Sequence, residues 1–199
     1  MALTRHDVIV GALALADADG LDALSLRSLA TRLGVQAPTL YWHVRNKAEL
    51  LDALADRIMD DVLDDLAVPQ PGSDWRDWLL GAAVGMRATL LRHADGARIV
   101  AGARASLRRA DFAERAVTVL VEAGVSVGEA RLVVLAVERF TIGYVLDEQS
   151  PQPDDADRPA PEELMRRLPN LTRAIIDYFE TGRTADDLFR DEVRLILRM

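Results

Sequence analysis

Apolar residues recur at intervals of three and four along almost the whole of this 199-residue chain, and period-two alternation is rare. That spacing gathers apolar side chains on one side of an α-helix and leaves little that could pair as sheet. The sequence therefore predicts an all-α fold, and breakers divide it. A first helix is expected from Thr4 to Ala18, with Val8, Ile9, Ala12, Leu15 and Ala16 on one side and Gly20 ending it. A second opens at Ser25 and closes at Gly34, and a short third follows Gln36 and ends near His43. Asn46 caps a fourth over 47–66, with Glu49 as its capping-box partner. "VPQPGSD" (68–74) holds two prolines and a glycine and marks a boundary. Further helices are expected over 74–92, 95–101, 109–123, 126–148, 162–179 and 184–198. Between the last long ones lies "DEQSPQPDDADRPAPEE" (147–163), whose prolines and carboxylates predict an exposed, mobile loop. No internal repeat is evident. The organisation read from these breaks is a three-helix head over 1–47, a connecting helix over 48–67 and a helical body over 68–199.

Charge and composition narrow the function. The chain has no cysteine, which excludes disulfides, thiolate zinc sites and cysteine nucleophiles. No apolar run approaches the ~18 residues that span a bilayer, and the N-terminus lacks the basic flank and cleavage site of a signal peptide. A cytoplasmic home with no membrane partner is the expectation. The net charge of −8 opposes binding to a polyanion, but it is unevenly spread. The first 50 residues hold five basic and five acidic side chains, whereas the other 149 hold 19 and 27. An anionic partner should therefore meet the N-terminal quarter. The only lysine, Lys47, is there.

The same quarter contains the densest chemistry. In "VQAPTLYWHVRNKAELL" (35–51) a Thr, a Tyr, a Trp and a His fall within five residues of a chain that is only 5% aromatic. Ala30, Gly34, Val35 and Leu40 have the spacing of a helix-turn-helix: a small residue at the crossing, a glycine able to take φ > 0, and apolar residues turned back toward Leu26, Leu29 and Leu33. Pro38 suits the first turn of the third helix. With Leu40 and Val44 inward, Thr39, Trp42 and His43 face outward and Tyr41 lies on a flank. These groups suit a DNA groove, offering methyl and hydroxyl contacts to bases and donors to phosphate. Lys47 adds its charge to the N-terminus of the fourth helix, where phosphate is favoured, and Arg27 opens the second helix. An ordinary helical hairpin, with Trp42 packed on the first helix and His43 a plain surface residue, is the competing reading.

The run "SLRSLATRLGVQAPTLYWHVRNKAELLDALADRI" resembles the DNA-binding domain of the tetracycline repressor family, most closely in "PTLYWHV", "NK" and "LLDALA". The likeness continues more thinly through "LLRHADGARI", "EAGVS" and "VERFTIGYVLDE". It implies an all-helical homodimer that reads a palindromic operator with its third helix. DNA contacts would fall on Arg27, Ala37, Pro38, Thr39, Tyr41, Trp42, His43 and Lys47. Ala37 departs from the tetracycline repressors, which carry a base-reading glutamine there, so a different operator is implied. The resemblance also implies a body that binds a small molecule and moves the fourth helix on binding. Large and small apolar residues alternate there as a pocket requires: Trp78, Ala82, Met86, Ile99, Val100, Ala103, Phe112, Ala113, Ala116 and Val134. Arg104, Glu138 and Arg139 are the candidate polar anchors. The metal-holding histidine of the tetracycline repressors aligns with Val100, and their polar drug contacts with Ala82 and Ala103. No metal or other cofactor, and no tetracycline–magnesium binding, is therefore expected, although Asp147 keeps a carboxylate near a metal's outer sphere. The effector should be small and largely apolar.

Asp52, Asp56, Asp60 and Asp64 form an i, i+4 stripe, read as a solvated face or, less readily, a metal site. Arg108 and Arg109 are read as capping the start of the seventh helix. Helices 126–148 and 162–179, apolar on more than one side, are the expected dimer contacts. The apolar residues that suggest this are Val133, Val137, Phe140, Ile142, Tyr144 and Leu146 on the first, and Ile175, Tyr178 and Phe179 on the second. Scattered His6, His43 and His93, with no nucleophile motif or glycine-rich phosphate loop, argue against an enzyme. A constitutive regulator and a binding module without DNA affinity remain the competing readings.

Overall fold

A computed structural model of the chain describes residues 3–70, 72–151 and 160–199. Eleven α-helices and no strand occur among the described residues. They are α1 (Arg5–Asp19), α2 (Leu26–Leu33), α3 (Ala37–Leu40), α4 (Lys47–Asp64), α5 (Trp75–Leu91), α6 (Gly96–Gly102), α7 (Leu107–Glu122), α8 (Val127–Glu148), α9 (Pro161–Arg167), α10 (Pro169–Glu180) and α11 (Ala185–Leu197), with a 3₁₀ turn at Leu21–Ala23. They form two compact units that divide between Gln149 and Ser150. Of the segment 147–163 expected to be a mobile loop, residues 152–159 lie outside the described residues, while 147–148 end α8 and 161–163 begin α9.

In the first unit α4 is the shared element. It packs on α1 at its start and on α6, α7 and α5 further along, while α8 covers α5, α6 and α7. Leu50, Leu54, Ile58 and Met59 of α4 are fully buried, each such side chain contributing about 1.5–3 kcal/mol on burial. Thr4 and Ser25 cap α1 and α2 through reciprocal side-chain bonds to Asp7 and Ser28. Asn46 caps α4 by accepting the Glu49 amide, but Glu49 does not return the bond as a capping box would. Its carboxylate instead accepts the Arg45 amide at 2.9 Å.

The second unit corrects one expectation. Residues 162–179 are not one helix: Leu168 leaves the helical region at φ −131°, ψ 54°, and Pro169 starts a new helix. Proline lacks the amide that would continue the first helix and pushes the residue before it away from α geometry. No side chain of α9 or α10 is buried, while Phe189, Val193 and Leu197 of α11 are.

Candidate nucleic-acid interface and effector site

The head is built as a helix-turn-helix. Gly34 takes φ 66°, ψ 29°, and the amide of Val35 closes back on the Ala30 carbonyl at 3.0 Å, the bond of a left-handed helix stop. A second close approach was not expected: a Cβ on Gly11 would come within 2.7 Å of Leu33, so that glycine lets α1 lie against α2. Leu29, Leu40 and Val44 are fully buried. Val35, Leu26 and Leu33 are only half-buried.

With Leu40 and Val44 turned in, the next side chains turn out. Trp42 is 87% exposed and Tyr41 56%, so neither packs on α1. Helix α3 is shorter than expected: it ends at Leu40, and tight turns carry Tyr41, Trp42 and His43, whose amides reach back three residues to Pro38, Thr39 and Leu40. Arg27, Pro38 and Lys47 are exposed, and Ala37, Thr39 and His43 half-exposed. Lys47 is the first residue of α4. Its ammonium thus joins a helix N-terminus within a few residues of the exposed indole and phenol in sequence, a combination suited to a phosphate backbone and a groove. Nearby, Asp7 is held below its ordinary carboxylate range by the Thr4 hydroxyl and then the Thr4 amide, with smaller help from His6 and His43.

In the body, the candidate pocket residues do not share one space. Trp78, Ala82 and Met86 line a cavity of about 240 Å³ with Val62, Leu66, Gly81 and Gly85, rimmed by Asp65 and Asp77. Ala103, Arg104, Ala113 and Glu138 line a second, also about 240 Å³, with Ser106, Arg109, Ala110 and Leu135. Val100, Phe112, Ala116 and Val134 are core residues outside the linings of both. Arg139 is exposed on α8, away from these cavities. The Trp78 indole donates to the Ala67 carbonyl at 2.8 Å and also borders a third cavity, about 310 Å³, between the α4–α5 linker and α7.

Glu138 is 2% exposed and is ion-paired with Arg109 of α7. Arg109 therefore does not cap its own helix; Ser106 does, accepting the Arg109 amide. Arg108 pairs with Asp60 at 2.8 Å and Asp111 at 3.0 Å. The α4 aspartates are likewise not a solvated face. Asp52 accepts the Arg104 amide at 2.8 Å and the Ala105 amide at 3.1 Å. Asp56 accepts the Ser106 hydroxyl at 2.7 Å and the Arg108 amide at 3.1 Å. Asp52 and Asp56, one turn apart, thus grip the α6–α7 loop, and Asp60, one turn further, holds the start of α7 through Arg108. Only Asp64 keeps to the exposed role. Spacing alone carried no signal for these partners, which lie about fifty residues away in sequence.

A second set of bonds ties the head to the start of α6. Asp17 accepts the Ala94 amide and pairs with His93 at 3.0 Å, Asp95 accepts the Leu21 amide at 2.7 Å, and Asp22 pairs with Arg98 at 2.8 Å.

The N-terminal pattern described as "Bacterial regulatory proteins, tetR family" matches residues 8–54, and "Tetracyclin repressor-like, C-terminal domain" matches residues 68–198. The class A tetracycline repressor protein from transposon 1721 of Escherichia coli is 42% identical over 178 residues, covering 89% of this chain and 82% of that protein. A tetracycline repressor variant from Acinetobacter baumannii AYE, crystallised with minocycline, superposes with a TM-score of 0.79 at 34% identity, over 99% of this chain and 92% of that one. BioQ crystallised with its natural double-stranded DNA operator superposes with a TM-score of 0.65 at 28% identity, over 88% and 97%.

Proposed function

Because the chain belongs to the tetracycline repressor family of bacterial regulatory proteins, we propose that it is a cytoplasmic repressor that binds a palindromic operator as a homodimer and leaves it when a small, largely apolar effector enters the body. The observation that carries this reading is the exposed indole of Trp42 beside the buried Leu40 and Val44. Trp42 and its neighbour Tyr41 hold two aromatic side chains together in water, a patch that suits contact with something outside the chain. Tyr41, Thr39 and His43 join it on the reading surface, Arg27 and Lys47 serve the phosphates, and Ala37 offers a thymine methyl an apolar contact. We take residues 1–47 as the reading head, 48–67 as the connecting helix and 68–199 as the effector and dimer domain.

Two uncovered surfaces suit a second copy. On α8, Leu132 is 66% exposed and Ala136, Arg139 and Gly143 continue its stripe. Of the apolar residues first expected there, Val137 and Ile142 are buried inside the unit, and Val133, Phe140, Tyr144 and Leu146 are half-buried. On α10, Leu171, Ile175, Ile176 and Phe179 are exposed. Each is an exposed apolar face of its own unit, and a homodimer that reads a palindrome sets its two reading heads roughly 34–36 Å apart, one DNA turn. The head's bonds to His93, Asp95 and Arg98, and the aspartate grip of α4, give an effector in the body two levers on the head.

Selection of DNA fragments by the purified protein, from random and genomic pools, tests this. A pseudo-palindromic site is expected. No enrichment at low salt overturns the reading and leaves a binding module.

A further inference from the structure

We propose that the cavity between the α6–α7 loop, α7 and α8 takes an effector with an apolar body and one carboxylate. This rests on the reading of the chain as an effector-responsive regulator and names the chemistry it responds to. The walls are Ala110, Ala113 and Leu135, and the polar groups are Arg104, Arg109 and Glu138. The charges do not balance. Arg109 and buried Glu138 neutralise each other across α7 and α8. Arg104, at the mouth, has a guanidinium that no described residue pairs with, since only its amide is engaged, by Asp52. Empty, the cavity lets water screen that cation. An apolar body expels the water, and an unpaired charge then becomes costly.

A carboxylate removes the cost, because its two oxygens match the guanidinium fork. The filled site is then two ion pairs with no net charge. A neutral body of the same shape would leave Arg104 uncompensated. A cation would compete with Arg109 for Glu138 and leave two guanidiniums unpaired. The same pairing reaches α4, because the loop that carries Arg104 hangs on Asp52 and Asp56. An acid that draws Arg104 inward displaces the amide bonded to Asp52.

The test uses the full-length protein with benzoate and 2-naphthoate, their uncharged amides and their aminomethyl analogues, read by titration calorimetry and by release of labelled operator. At least one acid is expected to bind ten or more times tighter than its amide and amine. Arg104→Gln should remove that preference, weakening the acid and tightening the amide, which no longer strands a charge. Ala113→Phe, which fills the cavity, should weaken acid and amide alike. Equal binding of acid and amide, tighter binding of the amine, no binding of either acid, or an acid preference that survives Arg104→Gln overturns the proposal. If operator binding persists through any of those results, only this inference fails. If no operator is bound at all, the repressor reading fails first.

Discussion

Asp56 accepts both the Ser106 hydroxyl and the Arg108 amide, so one carboxylate of the connecting helix closes the first turn of α7. Replacing it with alanine leaves the part-buried Ser106 hydroxyl and the exposed Arg108 amide without their acceptor. Asp56→Ala is expected to lower stability by about 1–3 kcal/mol and to uncouple effector binding from operator release. Urea unfolding checks the first part and effector-induced release the second. Wild-type stability would show that the grip is dispensable.

Trp42→Ala and Lys47→Ala should leave the fold untouched, within about 0.5 kcal/mol, as surface changes do. Both should weaken operator binding. Lys47→Ala should also lower the slope of log K against log salt by about one, the signature of a lost phosphate contact. A variant that unfolds, or a slope that does not move, refutes the assignment for that residue.

Gly96 begins α6 under the end of α5. A Cβ there would meet the Leu90 carbonyl oxygen at 2.2 Å and the carbonyl carbon at 3.1 Å. Backbone cannot swing aside as a side-chain tip does. Gly96→Ala is expected to cost roughly 1–3 kcal/mol, read as a fall in the melting temperature. Unchanged melting would mean that α5 and α6 part more easily than their packing indicates.

Asp7 and Asp187 each accept the amide and hydroxyl of the threonine three residues earlier. The Thr4 hydroxyl is the larger cause for Asp7, and the Thr184 amide for Asp187. Both carboxyls are held below their ordinary value of 3.8. A depressed folded pKa means stability that is present above the unfolded value and lost as pH falls through the folded one. The caps of α1 and α11 should therefore survive mild acid and loosen only below 3.8. Carboxyl-carbon NMR titration should give midpoints under that value, rising in Thr4→Ala for Asp7. Midpoints at or above it would exclude the capping bonds in solution.

Tetracycline with magnesium should not stabilise the protein. Val100 is fully buried and offers no ligand to a metal, and Ala82 and Ala103 offer no hydrogen bond. A ligand at a hundred times its dissociation constant adds about 2.7 kcal/mol, easily seen as a thermal shift. A shift of that size would reverse the assignment.

What the sequence made legible was local. Ser25 and Gly34 bound α2, Pro38 lies in the first turn of α3, and Asn46 caps α4, because caps and left-handed stops are written within four residues of where they act. The break at Pro169 is equally local, but the apolar spacing runs straight across it and masks it. Long-range pairings were not legible. Asp52, Asp56 and Asp60 looked solvated because nothing near them in sequence says that the loop after α6 lies against α4. Glu138 lines a cavity, but its ion pair was not legible, because its partner, Arg109, is 29 residues away. One imagined pocket became several cavities because Trp78, anchored to Ala67, stands between two of them.

The aspartates of α4 hold Arg104, Ala105 and Arg108 by their backbone N–H groups. Every residue but proline supplies that group. The side chains at 104 and 105 can therefore change, generation after generation, without loosening the linkage to the reading head. A gene of this kind can retarget its chemical sense one codon at a time and keep its output wiring intact.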